Sequence, residues 1–220
     1  MVQAGSFTPV QQKLLNSYQQ LSATRQRVLQ LFAIAYTPVA RSKVLECLHH
    51  AGIVDDDGNR LNSSRLKKHI DSLLSLGLVL QQQLNISPQC RSQIAEIVTR
   101  IAVVEGQFGE MAEAIQSVIP ISQLNDKNFP RRFETNEHFL REFRIALYRD
   151  RFDLIEELLE EYYKNSYLSR HLEKLAMKDI VLLVFNNPFD PEWFARLPHP
   201  WHDDSLATIL TEAELSLFAA

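Results

Sequence analysis

Three places in this 220-residue chain gather side chains of types that do chemistry. Cys47, His49 and His50 combine a thiol with two imidazoles. A zinc site needs a second ligand pair at metal spacing, and Cys90 stands alone, so these read as one buried cysteine and two surface histidines. Asp55, Asp57 and Gly58 resemble the start of a calcium loop. Setting Gly58 at the sixth position of such a loop puts Ile53 first and Ser64 twelfth, and neither supplies the carboxylate required there. A solvated turn is the plainer reading. His199 and His202 flank Trp201 beside Asp203 and Asp204, the nearest approach to an acid–base cluster. Proline-flanked aromatic segments of this kind serve as packing plugs. None of the six glycines lies in a Gly-x-x-x-x-Gly-Lys-Ser/Thr frame, and no Gly-x-Ser-x-Gly elbow is present. No reaction, metal or cofactor is expected of these residues.

Binding chemistry is what remains. Asn62, Ser63 and Ser64 are short polar donors, followed by Arg65, Lys67, Lys68 and Ser72. At about 100° per residue, Leu66, Ile70, Leu73 and Leu74 share one helix face. Ser64, Arg65, Lys68 and Ser72 fall on the opposite side, with Lys67 on a flank. The positive end of such a helix favours an anion. The charge of the chain points the same way. Residues 1–100 hold 11 Lys/Arg against 6 Asp/Glu, and residues 101–220 hold 12 against 21. A polyanion is drawn to the first half and repelled by the second.

Helices must position these groups, because six glycines and nine prolines among 45% hydrophobic residues suit a mainly α protein. Thr8-Pro9 opens a first helix, with Val10, Leu14, Tyr18 and Leu21 on its apolar face. Ser22 is a candidate cap for a second helix, from Ala23 to about Tyr36, which Pro38 ends. A third helix runs from about Ala40 to Ala51 and stops at Gly52; Asp55 to Asn59 is turn chemistry. Asn62 or Ser63 caps a fourth helix through Leu76, closed by Gly77. Leu78 to Ile86 is the best strand candidate. Ser87-Pro88 is expected to start a helix reaching about Val104, since proline fits the first helical position. A short helix then ends near Ile119-Pro120, and Ser122 to Arg132 reads as a linker. Helices are expected over about 134–149, 151–164 and 166–185. Thr211-x-x-Glu214 has capping-box form for a further helix. Leu215, Leu217 and Phe218 are apolar with no cap after them, which leads us to expect the N-terminal piece of a longer protein.

The stretch Val44-Leu45-Glu46-Cys47-Leu48, then Ser63-Ser64-Arg65-Leu66-Lys67-Lys68-His69-Ile70-Asp71-Ser72-Leu73-Leu74-Ser75-Leu76-Gly77-Leu78-Val79, resembles a winged-helix (helix-turn-helix) domain over about residues 22–100. The resemblance implies a recognition helix whose outward N-terminal side chains meet bases and phosphates in the DNA major groove. Asn62, Ser63, Ser64, Arg65, Lys67, Lys68 and Ser72 are then the DNA-binding candidates, with Arg65 and Lys68 foremost. Acid in the preceding turn repels phosphate, and the wing is minimal, so docking of protein in place of DNA is the alternative. Further on, Phe143-Arg144-Ile145-Ala146-Leu147-Tyr148-Arg149-Asp150-Arg151-Phe152-Asp153-Leu154-Ile155-Glu156-Glu157-Leu158-Leu159 resembles half of a tetratricopeptide-type hairpin. No second copy follows at a period near about 34 residues, and an ordinary helical hairpin gives the same pattern. Glu156, Glu157, Glu160 and Glu161 form an expected solvated acidic face. Arg131-Arg132 and the Arg141/Arg144 pair are expected to be ion-paired locally.

The organisation expected is therefore a winged-helix domain with an N-terminal helix over 1–104, a connecting helix and linker over 105–133, and an acidic helical hairpin or bundle domain over 134–220. The expected partners are DNA, and a protein or the remainder of a longer chain through residues 134–220. Two cysteines are too few for a disulfide framework, which favours a cytoplasmic setting. No apolar run approaches the roughly 18 residues of a membrane span.

Overall fold

The structure, a computed structural model, describes residues 7–82, 85–123, 131–164 and 173–218. Its residues divide into two compact units: 9–174, and 175–218 with Phe7 and Thr8. The first opens with α1 (Pro9–Gln19), where Leu14, Leu15 and Tyr18 are buried. Val10, expected on that face, is half exposed, and Gln11 takes the inward place.

Every residue of α2 (Ala23–Ala35) from Val28 to its end is buried, so this is the central helix of the unit. A helix buried all round loses one-sided patterning, as expected of a core element. The polar residue within that stretch, Gln30, is satisfied: Nε2 donates to Tyr18 Oη and Glu105 Oε2, both at 2.9 Å, and Oε1 accepts from Arg27. Tyr36 ends the helix in the left-handed region at φ 59°. Against α2 pack α3 (Arg41–His50) and α4 (Ser63–Ser75).

The strand expectation resolves into an antiparallel hairpin, β1 (Val79–Gln82) and β2 (Asn85–Cys90), with an irregularity between Gln81 and Gln82. Residues 83 and 84 of the expected strand lie outside the described residues. Ser87-Pro88 does not open a helix, as the sequence pattern had suggested; both residues belong to β2. Tertiary pairing overrides the local signal, because the Pro88 carbonyl accepts from Val39 N at 3.1 Å and Gln89 Nε2 donates to Tyr36 O. Helix α5 (Ser92–Val104) starts after the hairpin and packs along α2, and α6 (Phe108–Val118) packs on α2 and α3.

The expected linker over 122–132 pairs at its two ends, as β3 (Ser122–Gln123) and β4 (Arg131–Arg132); residues 124–130 lie outside the described residues. Then come α7 (Asn136–Leu147), capped by Thr135, and α8 (Phe152–Lys164). These two pack as a hairpin around Phe133, Phe139 and Tyr162, with Phe139 stacked on Tyr162 at 4.0 Å. Glu156, Glu157 and Glu160 are exposed, but Glu161 is buried against Arg131 at 2.7 Å.

The expected divisions near residues 104 and 134 are not edges of the 9–174 unit, and a buried ionic cluster accounts for this. Arg144 of α7 reaches Glu96 of α5 at 2.7 Å, Thr99 Oγ1 at 3.0 Å and the Ala33 carbonyl of α2 at 3.3 Å. Arg100 donates to Tyr148 Oη at 3.0 Å, and that hydroxyl donates to Glu96. Glu96, Arg100 and Arg144 are each at most 3% exposed. Arg141 pairs locally with Glu142, as expected, whereas Arg144 pairs with a residue far away in sequence.

In the second unit, α9 (Met177–Phe185), α10 (Pro191–Phe194) and α11 (His199–Phe218) surround an aromatic cluster. Phe185 stacks on Trp193 at 5.5 Å and meets Phe194 edge-on. Of the helix expected over 166–185, residues 166–172 lie outside the described residues, 173–176 are not helical, and the helix begins at Met177. Thr211 is no cap: it lies inside α11, and its hydroxyl donates back to the Ala207 carbonyl. Among the described residues, no helix is long and apolar enough to cross a membrane.

Two stability predictions follow from this packing. Arg144→Ala leaves the Glu96 carboxylate with one cation in a buried site, and should cost about 3–5 kcal/mol in urea unfolding. Tyr18 is raised by burial, and next by Glu105, from 10.0 to about 12. Between those pH values the unfolded chain ionises this group and the folded chain does not. Its stabilising contribution is complete below pH ~10 and fades by about 1.4 kcal/mol per pH unit above it. Tyr18→Phe should flatten that alkaline decline.

Candidate nucleic-acid interface

The candidate face is built by α4 and the turn before it. Gly52, at φ +66°, ends α3 with Ile53 N donating to Leu48 O at 2.9 Å. The chain then doubles back in a small antiparallel bridge, Val54 to Arg60, around Gly58 at φ +78°. His49, expected on the surface, is half-buried and places Nε2 2.6 Å from the Leu61 carbonyl, which ties the far end of the turn to α3.

Asp55 and Asp56 each have a specific partner. Asp56 Oδ1 accepts from Thr24 N at 2.9 Å and so caps α2 from a distance. Ser22, the expected cap, makes no side-chain cap bond. A carboxylate is the stronger acceptor and also suits the positive end of the helix. The Thr24 N–H holds the Asp56 carboxyl below its ordinary range. Asp55 Oδ1 accepts from Asn59 N at 2.7 Å and Asp57 N at 3.1 Å, while Oδ2 pairs with Arg65 Nη1. Desolvation pushes Asp55 up, but these N–H groups and the guanidinium outweigh it and lower its pKa. Asp57 is exposed.

Asn62 caps α4, its Oδ1 accepting from Arg65 N at 2.9 Å. That oxygen is therefore committed to the helix. Leu66, Ile70 and Leu73 are buried on the inner face, and Leu74 is half-buried. Gly77, at φ +67°, allows the reversal into β1, with Leu78 N donating to Leu73 O. Outward lie Ser63, Ser64, Arg65, Lys67 and Lys68, all exposed, with Ser72 half-buried. Lys67 and Lys68 have no ion pair among the described residues, whereas Asp71 lies 3.9 Å from Arg41. His69, on a flank, is lowered by burial and by Arg25, against the opposing pull of Asp56 and Asp55.

The sequence brought these candidates to one helix but missed the Asp55 contact and the Asp56 cap. Three aspartates in a row signal a turn, and nothing in their spacing says which cation or helix end they will meet.

The other candidate groups lie elsewhere. Cys47 is buried, its thiol pushed up to about 11 by desolvation, with Sγ 3.8 Å from the Ala114 carbonyl. Cys90 is buried and pushed up to about 12. No three of His, Cys, Asp and Glu converge on a metal position among the described residues. His199 and His202 both approach Asp203, at 3.1 and 3.0 Å, on the exposed start of α11. A cavity of about 210 Å³ in the same unit is lined by Met177, Val181, Trp201, Asp204, Ser205 and Thr208. The chain matches no family model, no curated protein and no solved structure.

Both caps at this site should be measurable. Asn62→Ala, which uncaps α4, and Asp56→Ala, which uncaps α2, should each lower the unfolding free energy by about 1 kcal/mol in urea titrations.

Proposed function

We propose that residues 22–100 form a winged-helix module that docks on DNA through α4. In this reading the rest of the chain is a helical protein-interaction segment. The protein acts as a regulator, or as the recruiting N-terminal segment of a larger nucleic-acid-acting machine. One observation carries the proposal: α4 turns Leu66, Ile70 and Leu73 inward and leaves Lys67 and Lys68 exposed without an ion pair among the described residues. The order α2, α3, α4, then the β1–β2 hairpin, supports it. So does the engagement of Asp55 and Asp56, which leaves Asp57 as the exposed acid of the turn without such a partner among the described residues.

Mechanistically the module supplies a positive docking surface and no bond-making chemistry. Two lysine–phosphate contacts imply a slope of about −1.8 in log affinity against log salt for duplex DNA, at about −0.9 per contact. The adaptor reading, in which the module docks protein, draws on the partial neutralisation of α4 by Asp55 and on exposed Met177, Leu183 and Leu210 in the second unit.

Fluorescence anisotropy with a labelled duplex and a single strand, between about 50 and 200 mM salt, separates these readings. The DNA reading expects duplex binding whose slope flattens by about 1.8 in the Lys67→Ala/Lys68→Ala variant. Equal affinity of variant and parent for DNA would hand the function to the adaptor.

A further inference from the structure

Arg65 differs from the two lysines beside it. Its Nη1 is engaged by a carboxylate that is itself fixed, because Asp55 is only 8% exposed at the side chain and accepts two backbone N–H groups from its own turn. Asp55 cannot swing aside without giving up those bonds. The Arg65 side chain, by contrast, is 44% exposed and has no other partner among the described residues. It stands in the first turn of α4, three residues after the Asn62 cap, where outward side chains of a groove-bound helix meet base edges.

Resting on the DNA reading above, we propose that Arg65 is a base-reading residue and not a phosphate ligand, with Asp55 setting that choice. A phosphate approaching Arg65 meets the carboxylate as well as the guanidinium, and the two interactions nearly cancel because the pair is formally neutral. A neutral acceptor meets no such repulsion. The guanidinium has five N–H donors, and those on Nε and Nη2 remain for a planar acceptor pair. Guanine presents that pair in the major groove as O6 and N7. Asp55 also fixes the orientation of the guanidinium, which reduces the ordering cost of docking. Cytosine N4 is not a competing target for Asp55, since both of its oxygens are already engaged. The division of labour is then plain: Lys67 and Lys68 hold phosphate, and Arg65 reads guanine.

Salt titration of duplex binding tests this with parent, Arg65→Ala, Asp55→Asn and the double variant. Asn keeps the oxygen that caps the turn but removes the charge. Arg65→Ala alone leaves the Asp55 carboxylate uncompensated, so the charge-balanced comparison is the double variant, whose salt slope should equal the parent's. Asp55→Asn should steepen it by about 0.9, and adding Arg65→Ala should take that increment away. In a duplex enriched by the parent from a randomised pool, one guanine should matter to the parent by roughly tenfold to a hundredfold and not to Arg65→Ala. Replacing that guanine by 7-deazaguanine, which lacks N7, should weaken the parent only. A slope flatter than the parent's by about 0.9 in the double variant makes Arg65 a phosphate ligand and overturns the proposal while leaving DNA binding intact. Enrichment without any guanine preference does the same. Absence of duplex binding by the folded parent at about 50 mM salt overturns both this proposal and the reading beneath it.

Discussion

The organisation of residues 9–174 depends on the burial of one carboxylate, Glu96, between Arg144 and Arg100. Charges removed from water are costly unless geometry and hydrogen bonds compensate them. Here the compensation comes from three helices at once: Glu96, Thr99 and Arg100 from α5, Arg144 with the adjoining Tyr148 from α7, and the Ala33 carbonyl from α2. Arg144 also lies over the Tyr36 ring at 4.4 Å. An apolar contact tolerates small slips between helices, whereas these directional contacts form only in one arrangement, even with Arg144 Nε left without a hydrogen-bond partner among the described residues. It therefore locks α7 onto a core that the first hundred residues had begun.

The same cluster completes a pattern centred on α2. Aligned peptide dipoles leave partial positive charge at a helix N-terminus and negative charge at its C-terminus. Asp56 binds the N–H of Thr24 at the first end, and Arg144 binds the carbonyl of Ala33 in the last turn. Both charges come from segments remote in sequence, so the central helix fixes the position of both. What Asp56 fixes is the turn, and the turn carries Asp55. The orientation of Arg65 on α4 is thus tied to the N-terminus of a helix with which it has no direct contact in the chain of hydrogen bonds described.

Much of this was legible from local signals. Gly52 and Gly77 mark helix ends because both adopt positive φ, and the inward set of Leu66, Ile70 and Leu73 follows from helical period alone. Asn62 reads as a cap and is one. Other features were set by distant partners. Ser87-Pro88 has the chemistry of a helix start, yet Val39 and β1 draw it into a strand. Thr211 and Glu214 have capping-box spacing, yet α11 is already running when it reaches them. Ser22 has the right type for a cap and loses the role to Asp56. The change of charge sign near residue 100 suggested a boundary, but Arg144 belongs by its contacts with Glu96.

That last point changes what net charge says about the candidate surface. The first hundred residues carry 11 cations against 6 anions. Arg27 pairs with Glu105, Arg41 with Asp71, Lys43 with Glu46, Arg65 with Asp55, and Arg100 is buried with Glu96. An approaching polyanion responds to exposed charges within about a Debye length, roughly 8–10 Å at ordinary salt, and hardly at all to compensated or buried ones. On α4 the exposed cations without an ion pair among the described residues are Lys67 and Lys68, with Arg60 likewise exposed in the turn before it. A surface with few uncompensated cations gains little from non-specific attraction. In the proposed DNA reading discrimination falls to oriented donors, and on α4 the guanidinium held by a fixed carboxylate is that of Arg65.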